Sequence, residues 1–222
     1  MPSRKSLVLI TLLGALLIGW LAWRHSSLPQ NKEPLAANVE KQPVNFVNRT
    51  FDPASPPDDM PPLAPGEEAE CDSDFRSNAS VGGKAEQTDT THAIVTVTQI
   101  KVALQLNITI WAPNNATPHV IEHEEGHRQI SENYYQTSDK VARQIAAAYM
   151  GKQVLITGTD LNGELNKSLQ EMSAEITDEY SKELNPEPAQ QRYDDITDHS
   201  RNEVAAKDAV ARALHETLPA SI

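Results

Sequence analysis

Residues 101–127, KVALQLNITIWAPNNATPHVIEHEEGH, decide the fold because they pass from a strand pattern to a helix pattern. Apolar and polar residues alternate from Val102 to Ile110, and this period of two predicts a strand with one buried face. β-Branched residues continue the pattern back to Ala93 and on to Trp111. Residues 94–97 either begin the same strand early or form a partner strand.

The second half of this stretch has the signals of a helix start. Thr117 is suited to the N-cap, and Pro118 fits the first helical position, where a missing N–H leaves no hydrogen bond unmade. We expect this helix to run through His127 to about Tyr135.

Downstream, periodic apolar residues predict three more helices and a short strand. These are a helix from about Ser138 to Gly151, a strand over 154–156, a long helix between Asp160 and Pro186, and a last helix after a capping box of Ser200 and Glu203. The sequence therefore predicts an α+β fold, a mainly helical, zincin-like domain with a small β-sheet.

The N-terminal part has a different composition. An uncharged apolar run over residues 7–23 follows Arg4 and Lys5, which predicts an uncleaved transmembrane signal-anchor, with a cleaved signal peptide as the alternative. Nine of the fifteen prolines lie between residues 26 and 66, and such a segment favours an extended tether. We predict three regions: a cytoplasmic tip and anchor (1–25), a Pro-rich, acidic, disordered linker (26–88) and a folded domain (89–222).

Charge and cysteine content exclude some functions. The formal net charge is -12, which argues against nucleic-acid binding because contacts to phosphates require clustered Lys and Arg. Cys71 is the only cysteine, so an intramolecular disulfide is impossible and the role of this thiol stays open.

The pattern His123-Glu124-Glu125-Gly126-His127 points to a metal centre. Residues four apart on a helix share one face, so the imidazoles of His123 and His127 can bind one zinc ion. Glu124 points about 100 degrees round the helix, where it can take a proton from a water activated by the metal. This is the chemistry of a metallohydrolase. Gly126 is unfavourable in a helix interior, so we expect another group to approach the helix closely there.

A catalytic zinc usually has three protein ligands and one water, so a third ligand is expected. The metzincin spacing is excluded because Ile130 and Asn133 stand where that class has Gly and His. A glutamate of the long helix, Glu171 or Glu175, is one candidate. His199 is the other.

The order of the motifs carries a family resemblance. Trp111 and Pro113 lead into the HEEGH helix with Arg128 and Ile130, and Tyr193-Asp194 and Thr197-Asp198-His199 follow some seventy residues later. Over roughly residues 91–200 the chain resembles the bacterial proteins described as predicted secreted or membrane-anchored zinc-dependent proteases. Ser200 departs from the family pattern, which has Gly at this position.

The resemblance implies a zinc protease and, taken with the residue pattern, favours His199 as the third ligand beside His123 and His127. Tyr193 would donate a hydrogen bond to the developing oxyanion, the alternative being a packed aromatic residue. With Glu124 as general base, we expect a zinc-dependent peptidase that cleaves proteins or peptides outside the cytoplasm, anchored in the membrane by its N-terminal helix. Two alternatives stay open: a non-catalytic, membrane-tethered metal-binding or interaction module, and a cell-wall amide hydrolase.

Overall fold

A computed structural model describes residues 37–63 and 66–217, which form an α+β domain built on one five-stranded sheet. Its central strand is β4 (His92–Pro113), which is 22 residues long. The antiparallel β3 (Glu70–Gln87) follows one side of β4. The other side pairs in turn with β5 (Gln153–Thr157), β1 (Asn38–Lys41) and β2 (Asn45–Phe51), of which β1 and β2 run parallel to β4.

Between Ile100 and Ile110 the alternation along β4 places the even-numbered residues in the core, whereas the buried residues before this stretch are Ala93, Val95 and Val97. The six even-numbered side chains are each at most 2% exposed: Ile100, Val102, Leu104, Leu106, Ile108 and Ile110. Their neighbours Lys101, Ala103 and Gln105 are exposed. The prediction of a strand with one buried face is confirmed, and residues 94–97 belong to that same strand.

Five helices follow within the described residues. They are α1 (Pro118–Gln136), α2 (Ser138–Tyr149), α3 (Leu161–Glu183), α4 (Glu187–Thr197) and α5 (Ala206–Thr217). Their apolar faces share one core with the buried face of β4, to which Ile130, Ile145 and Ile176 contribute. The fold is therefore α+β, with helices packed on one side of the sheet.

The predicted start of α1 is confirmed. The Thr117 hydroxyl oxygen accepts a hydrogen bond from the backbone N–H of Val120, and Pro118 occupies the first helical position. Asp160 caps α3 in the same way, by accepting from the backbone N–H of Gly163.

The prediction of a disordered linker over 26–88 is wrong for the part that the structure describes. β1, β2 and β3 all lie in this segment. β1 and β2 are polar edge strands with mostly exposed side chains, and the inward positions at the start of β3 hold small residues such as Cys71 and Ser73. These strands therefore lack the alternation of large apolar residues that marks a strand in a sequence.

The C-terminal part holds two further differences. α4 was not predicted, because a proline near its start and mostly polar residues hide an apolar stripe of Ala189, Tyr193 and Ile196. The predicted capping box of Ser200 and Glu203 is wrong, since α5 begins only at Ala206.

Among residues 37–63 and 66–217 no helix has the length and apolar character needed to cross a membrane. The predicted anchor over 1–25 lies outside the described residues.

Candidate metal centre

Three ligand atoms converge where α1 meets α4. The Nε2 atoms of His123 and His127 lie 3.2 Å apart. The Oδ1 atom of Asp194, on α4, lies 3.3 Å from the first of them and 2.9 Å from the second. Ligands held about 2.0–2.1 Å from a tetrahedral zinc ion would be about 3.3 Å from one another. The spacing of the three atoms therefore fits the coordination sphere of one such ion.

The orientation of the His123 ring is fixed by Thr197. The Thr197 hydroxyl donates its proton to the backbone carbonyl of Tyr193 at 2.9 Å. Its oxygen must therefore accept the hydrogen bond from His123 Nδ1, which lies 3.3 Å away. With the proton on Nδ1, the lone pair of Nε2 points toward Asp194.

His127 is oriented by a side-chain amide. The amide nitrogen of Gln190 donates to the backbone carbonyl of His127 at 3.2 Å and to the Ser131 hydroxyl at 2.9 Å. The carbonyl oxygen of Gln190 therefore faces His127 Nδ1, 2.6 Å away, and accepts a hydrogen bond from its N–H. The Ser131 hydroxyl in turn donates a hydrogen bond to the Ser73 hydroxyl of β3.

In the neutral tautomer that these contacts select, both histidines direct the lone pair of Nε2 at one carboxylate oxygen. Asp194 Oδ1 is inaccessible to solvent and has no hydrogen bond of acceptable geometry in the described structure. Two lone pairs and a carboxylate at this distance repel one another unless a cation lies between them. A metal ion satisfies all three groups at once, so the donor set fits a metal centre.

In the metal-free protein a proton can take the place of that cation. Burial opposes the charge on His127, but Asp194, Glu124 and Gln190 outweigh it and raise the pKa of His127 to about 9. Burial likewise opposes ionisation of Asp194, yet the imidazoles of His123 and His127 hold the pKa of Asp194 well below its usual range. Both shifts show that the site favours positive charge at the centre and negative charge on Asp194.

Glu124 faces the same cleft as the converging ligands. A cleft of about 410 Å³ is lined by Glu124, His127 and Asp194 together with Glu67 and Glu70. Glu124 is only 3% exposed, and burial raises its pKa to about 8, with His127 opposing the shift and nearby carboxylates adding to it. A cation at the centre would lower this pKa and leave a carboxylate able to accept a proton.

The close approach expected at Gly126 is made by Tyr193. A Cβ at Gly126 would lie 2.1 Å from the Tyr193 hydroxyl oxygen. The Tyr193 ring stacks on His123 with centroids 5.0 Å apart and meets His127 edge-on at 4.8 Å. Glycine at this position therefore lets α4 approach α1 closely enough to place Asp194 beside both imidazoles.

Tyr193 packs against both histidines of the centre. It is fully buried, and its hydroxyl donates to the backbone carbonyl of His123 at 3.1 Å. A proton held in this way is unavailable to a substrate oxyanion. The structure therefore places Tyr193 as a positioning residue, which corresponds to the packed aromatic alternative.

His199 lies next to the centre but does not join the two other histidines. Its Nδ1 is 3.0 Å from a carboxylate oxygen of Glu67 and 4.0 Å from Asp194 Oδ1. Glu67, Asp194 and His199 form a second group of ligand atoms within 4.8 Å of one another, which shares Asp194 with the first. In this arrangement Asp194, rather than His199, completes the group of His123 and His127.

The other candidates lie elsewhere. Glu171 and Glu175 are exposed on α3 and belong to neither group of ligands found among the described residues. Cys71 lines the cleft, where burial raises the pKa of its thiol and keeps it protonated. Neither glutamate nor the thiol is in a position to complete the centre.

The sequence did not indicate Asp194 as a candidate ligand, although it lies in the Tyr193-Asp194 motif. The spacing from Asp194 to Thr197 and from Tyr193 to Thr197 is that of neighbours on one helix face. The available signals were Gly126 in α1 and the Tyr193-Asp194 pair in α4. These residues come into contact only in the tertiary structure. The structure contains two groups of His, Asp and Glu side chains that could hold a metal ion. It does not identify the metal.

No protein-family model matches this chain, and no curated protein or solved structure matches it either.

Proposed function

We propose that this protein is a zinc-dependent peptidase that hydrolyses peptide bonds with Glu124 as general base. The observation that carries the proposal is the convergence of His123 Nε2, His127 Nε2 and Asp194 Oδ1 at 2.9–3.3 Å beside a buried glutamate. Nitrogen and carboxylate ligands in a three-ligand set with room for a water are typical of catalytic zinc.

The residues of the centre would have two separate roles, metal binding and proton transfer. His123, His127 and Asp194 would hold the ion, with Thr197 and Gln190 fixing the two rings. A zinc ion bound there would supply a Lewis acid that polarises a carbonyl and acidifies a water. Glu124, which lines the same cleft, accepts the proton of the attacking water and passes it to the leaving amine.

The shape of the cleft supports a peptide as the substrate. Its lining includes the exposed residues Asp72 of β3 and Glu187 of α4, so the cleft is accessible from solvent. An open cleft admits a chain that continues on both sides of the reacting bond, whereas a closed cavity admits only small molecules. The family resemblance over roughly residues 91–200 supports the same assignment.

The proposal includes the location of the reaction. The apolar run over residues 7–23 would anchor the chain in a membrane, with the domain on the periplasmic or extracellular side. The support for this is the sequence pattern alone, namely the uncharged length of the run and the basic residues before it.

The test compares two neighbouring glutamates. The full chain is loaded with one equivalent of zinc and assayed on casein, on a peptide library and on purified peptidoglycan, with and without a chelator. Glu124→Gln should retain zinc and lose at least about 1,000-fold in kcat, because only the proton acceptor is removed. Glu125→Gln is the matched control, since Glu125 pairs with Arg128 at 2.6 Å, and should remain active.

Each result separates the candidate functions. Chelator-sensitive cleavage of casein or peptides supports the proposal. Cleavage of peptidoglycan alone favours a cell-wall amide hydrolase. Retained zinc with no hydrolysis by the wild type would refute the proposal in favour of a non-catalytic metal-binding module.

A further inference from the structure

An apolar pocket adjoins the metal centre. It has a volume of about 620 Å³ and is lined mainly by Phe51, Met60, Leu63, Pro113 and prolines of residues 53–62. Pockets of 300–1,000 Å³ with apolar walls are the usual size and character of sites for organic groups. Nothing in the proposed chemistry at His123, His127 and Asp194 uses this space.

The pocket is held in shape by contacts to the sheet. Phe51 ends β2, is buried, and accepts a hydrogen bond from the backbone N–H of Asn114 at 2.8 Å. Arg49 lies over the Trp111 ring at 4.0 Å and forms an ion pair with Asp59 at 2.5 Å, which ties the proline segment to β4. Proline rings fix one backbone angle each, so little conformational entropy is lost when a ligand binds against them.

Glu67 connects this pocket to the centre. It forms part of the wall of the apolar pocket and also of the catalytic cleft. A carboxylate oxygen of Glu67 lies within 4.8 Å of one of Asp194. Since an extended chain advances about 3.3–3.6 Å per residue, a peptide with its carbonyl at the metal centre would reach the pocket within a few residues.

We propose that the apolar pocket binds a large apolar side chain of the peptide substrate, a few residues from the scissile bond, and thereby sets specificity. This inference rests on the proposed peptidase function. Apart from Glu67, Glu68 and Asn115 the walls are apolar, so an acidic occupant is disfavoured by the two carboxylates and by the lack of other polar partners. The acidic cleft beside the pocket, with Glu67, Glu70 and Asp72, disfavours acidic residues at the neighbouring substrate positions.

The experiment measures selectivity in the full, zinc-loaded chain. A peptide series carries Phe, Leu, Ala, Lys or Asp at each of four positions on either side of the cleaved bond, and kcat/KM is determined for each. Burial of a Phe or Leu side chain predicts a preference of about 10- to 100-fold over Ala at one position. Met60→Asp, which places a charge in the pocket, should reduce that preference to less than about threefold.

A matched substitution controls for general effects on the domain. Leu155 is 63% exposed on β5, so Leu155→Asp also replaces an apolar side chain by a carboxylate and should keep the full preference. Zinc content and thermal unfolding of both variants show whether each is folded.

The outcomes distinguish this inference from the proposed function. An apolar preference that Met60→Asp removes and Leu155→Asp keeps supports the specificity pocket. Cleavage with no apolar preference at any position, or a preference that survives Met60→Asp, overturns the pocket and leaves the peptidase intact. Failure of the wild type to cleave any peptide overturns the peptidase proposal and the pocket with it.

Discussion

Gly126→Ala should disrupt the metal centre without touching a ligand. The added Cβ would lie 2.1 Å from the hydroxyl oxygen of Tyr193 and 2.4 Å from the ring carbon that bears it, where ordinary contact begins near 3.4 Å. Tyr193 must therefore retreat by about 1 Å, and since it is fully buried, α4 must move with it. Asp194 is the next residue of that helix.

The expected size of the effect follows from two opposing terms. Alanine is favoured over glycine in a helix interior by about 1 kcal/mol. Overpacking a buried contact typically costs about 1–3 kcal/mol, so we expect a net loss of up to about 2 kcal/mol in the free energy of unfolding. Because Asp194 shifts away from His123 and His127, zinc affinity should fall about 10- to 100-fold, as it does when groups that orient metal ligands are lost.

The assay is a double-mutant cycle, with thermal unfolding and zinc competition measured for each protein. Tyr193→Leu removes the three atoms that lie nearest to the new Cβ. In the Tyr193→Leu background, Gly126→Ala should therefore stabilise the protein by about 1 kcal/mol through helix propensity. A wild-type zinc affinity in Gly126→Ala, or the same destabilisation in both backgrounds, would refute the reasoning.

Three further predictions follow from the same contacts. Thr197→Val leaves His123 Nδ1 without an acceptor and should lower zinc affinity about 10- to 100-fold, measured by competition with a chelating dye, with little change in size or packing. Ser200→Gly should raise the free energy of unfolding by up to about 1 kcal/mol, because Ser200 has a φ of 61°, a conformation that favours glycine. The control is Ser181→Gly on the exposed side of α3, which should lower the free energy of unfolding by about 0.5 kcal/mol. Zinc at 100 times its dissociation constant should stabilise the wild type by about 2.7 kcal/mol, and the gain should vanish in His123→Ala.

The sequence predicted those parts of the fold whose signals are local. The alternation in β4, the N-caps at Thr117 and Asp160, and the apolar stripe of α3 each lie within one element, and the structure contains all of them. β1 and β2 were missed because their partners in β4 lie some sixty residues away in the chain. An edge strand whose side chains remain exposed leaves almost no apolar pattern to detect.

The candidate site shows the same limit. The spacing of His123 and His127 is sufficient to predict that their rings meet, because one helix turn determines it. The third ligand depends on how α4 packs against α1, and that packing depends on the absence of a side chain at Gly126. The family resemblance together with the residue pattern favours His199, whereas the structure places its Nδ1 3.0 Å from Glu67, on a segment with three consecutive positive φ angles at residues 198–200.

Bound metal is the most direct test of the proposed centre. Elemental analysis of the full chain, purified after exposure to excess zinc, should give one zinc per chain that is lost in His123→Ala, in His127→Ala and in Asp194→Ala. His199→Ala should retain the ion, because His199 lies outside the first group of ligands. A wild-type chain without stoichiometric zinc, or zinc that survives Asp194→Ala but not His199→Ala, would contradict a centre built from His123, His127 and Asp194.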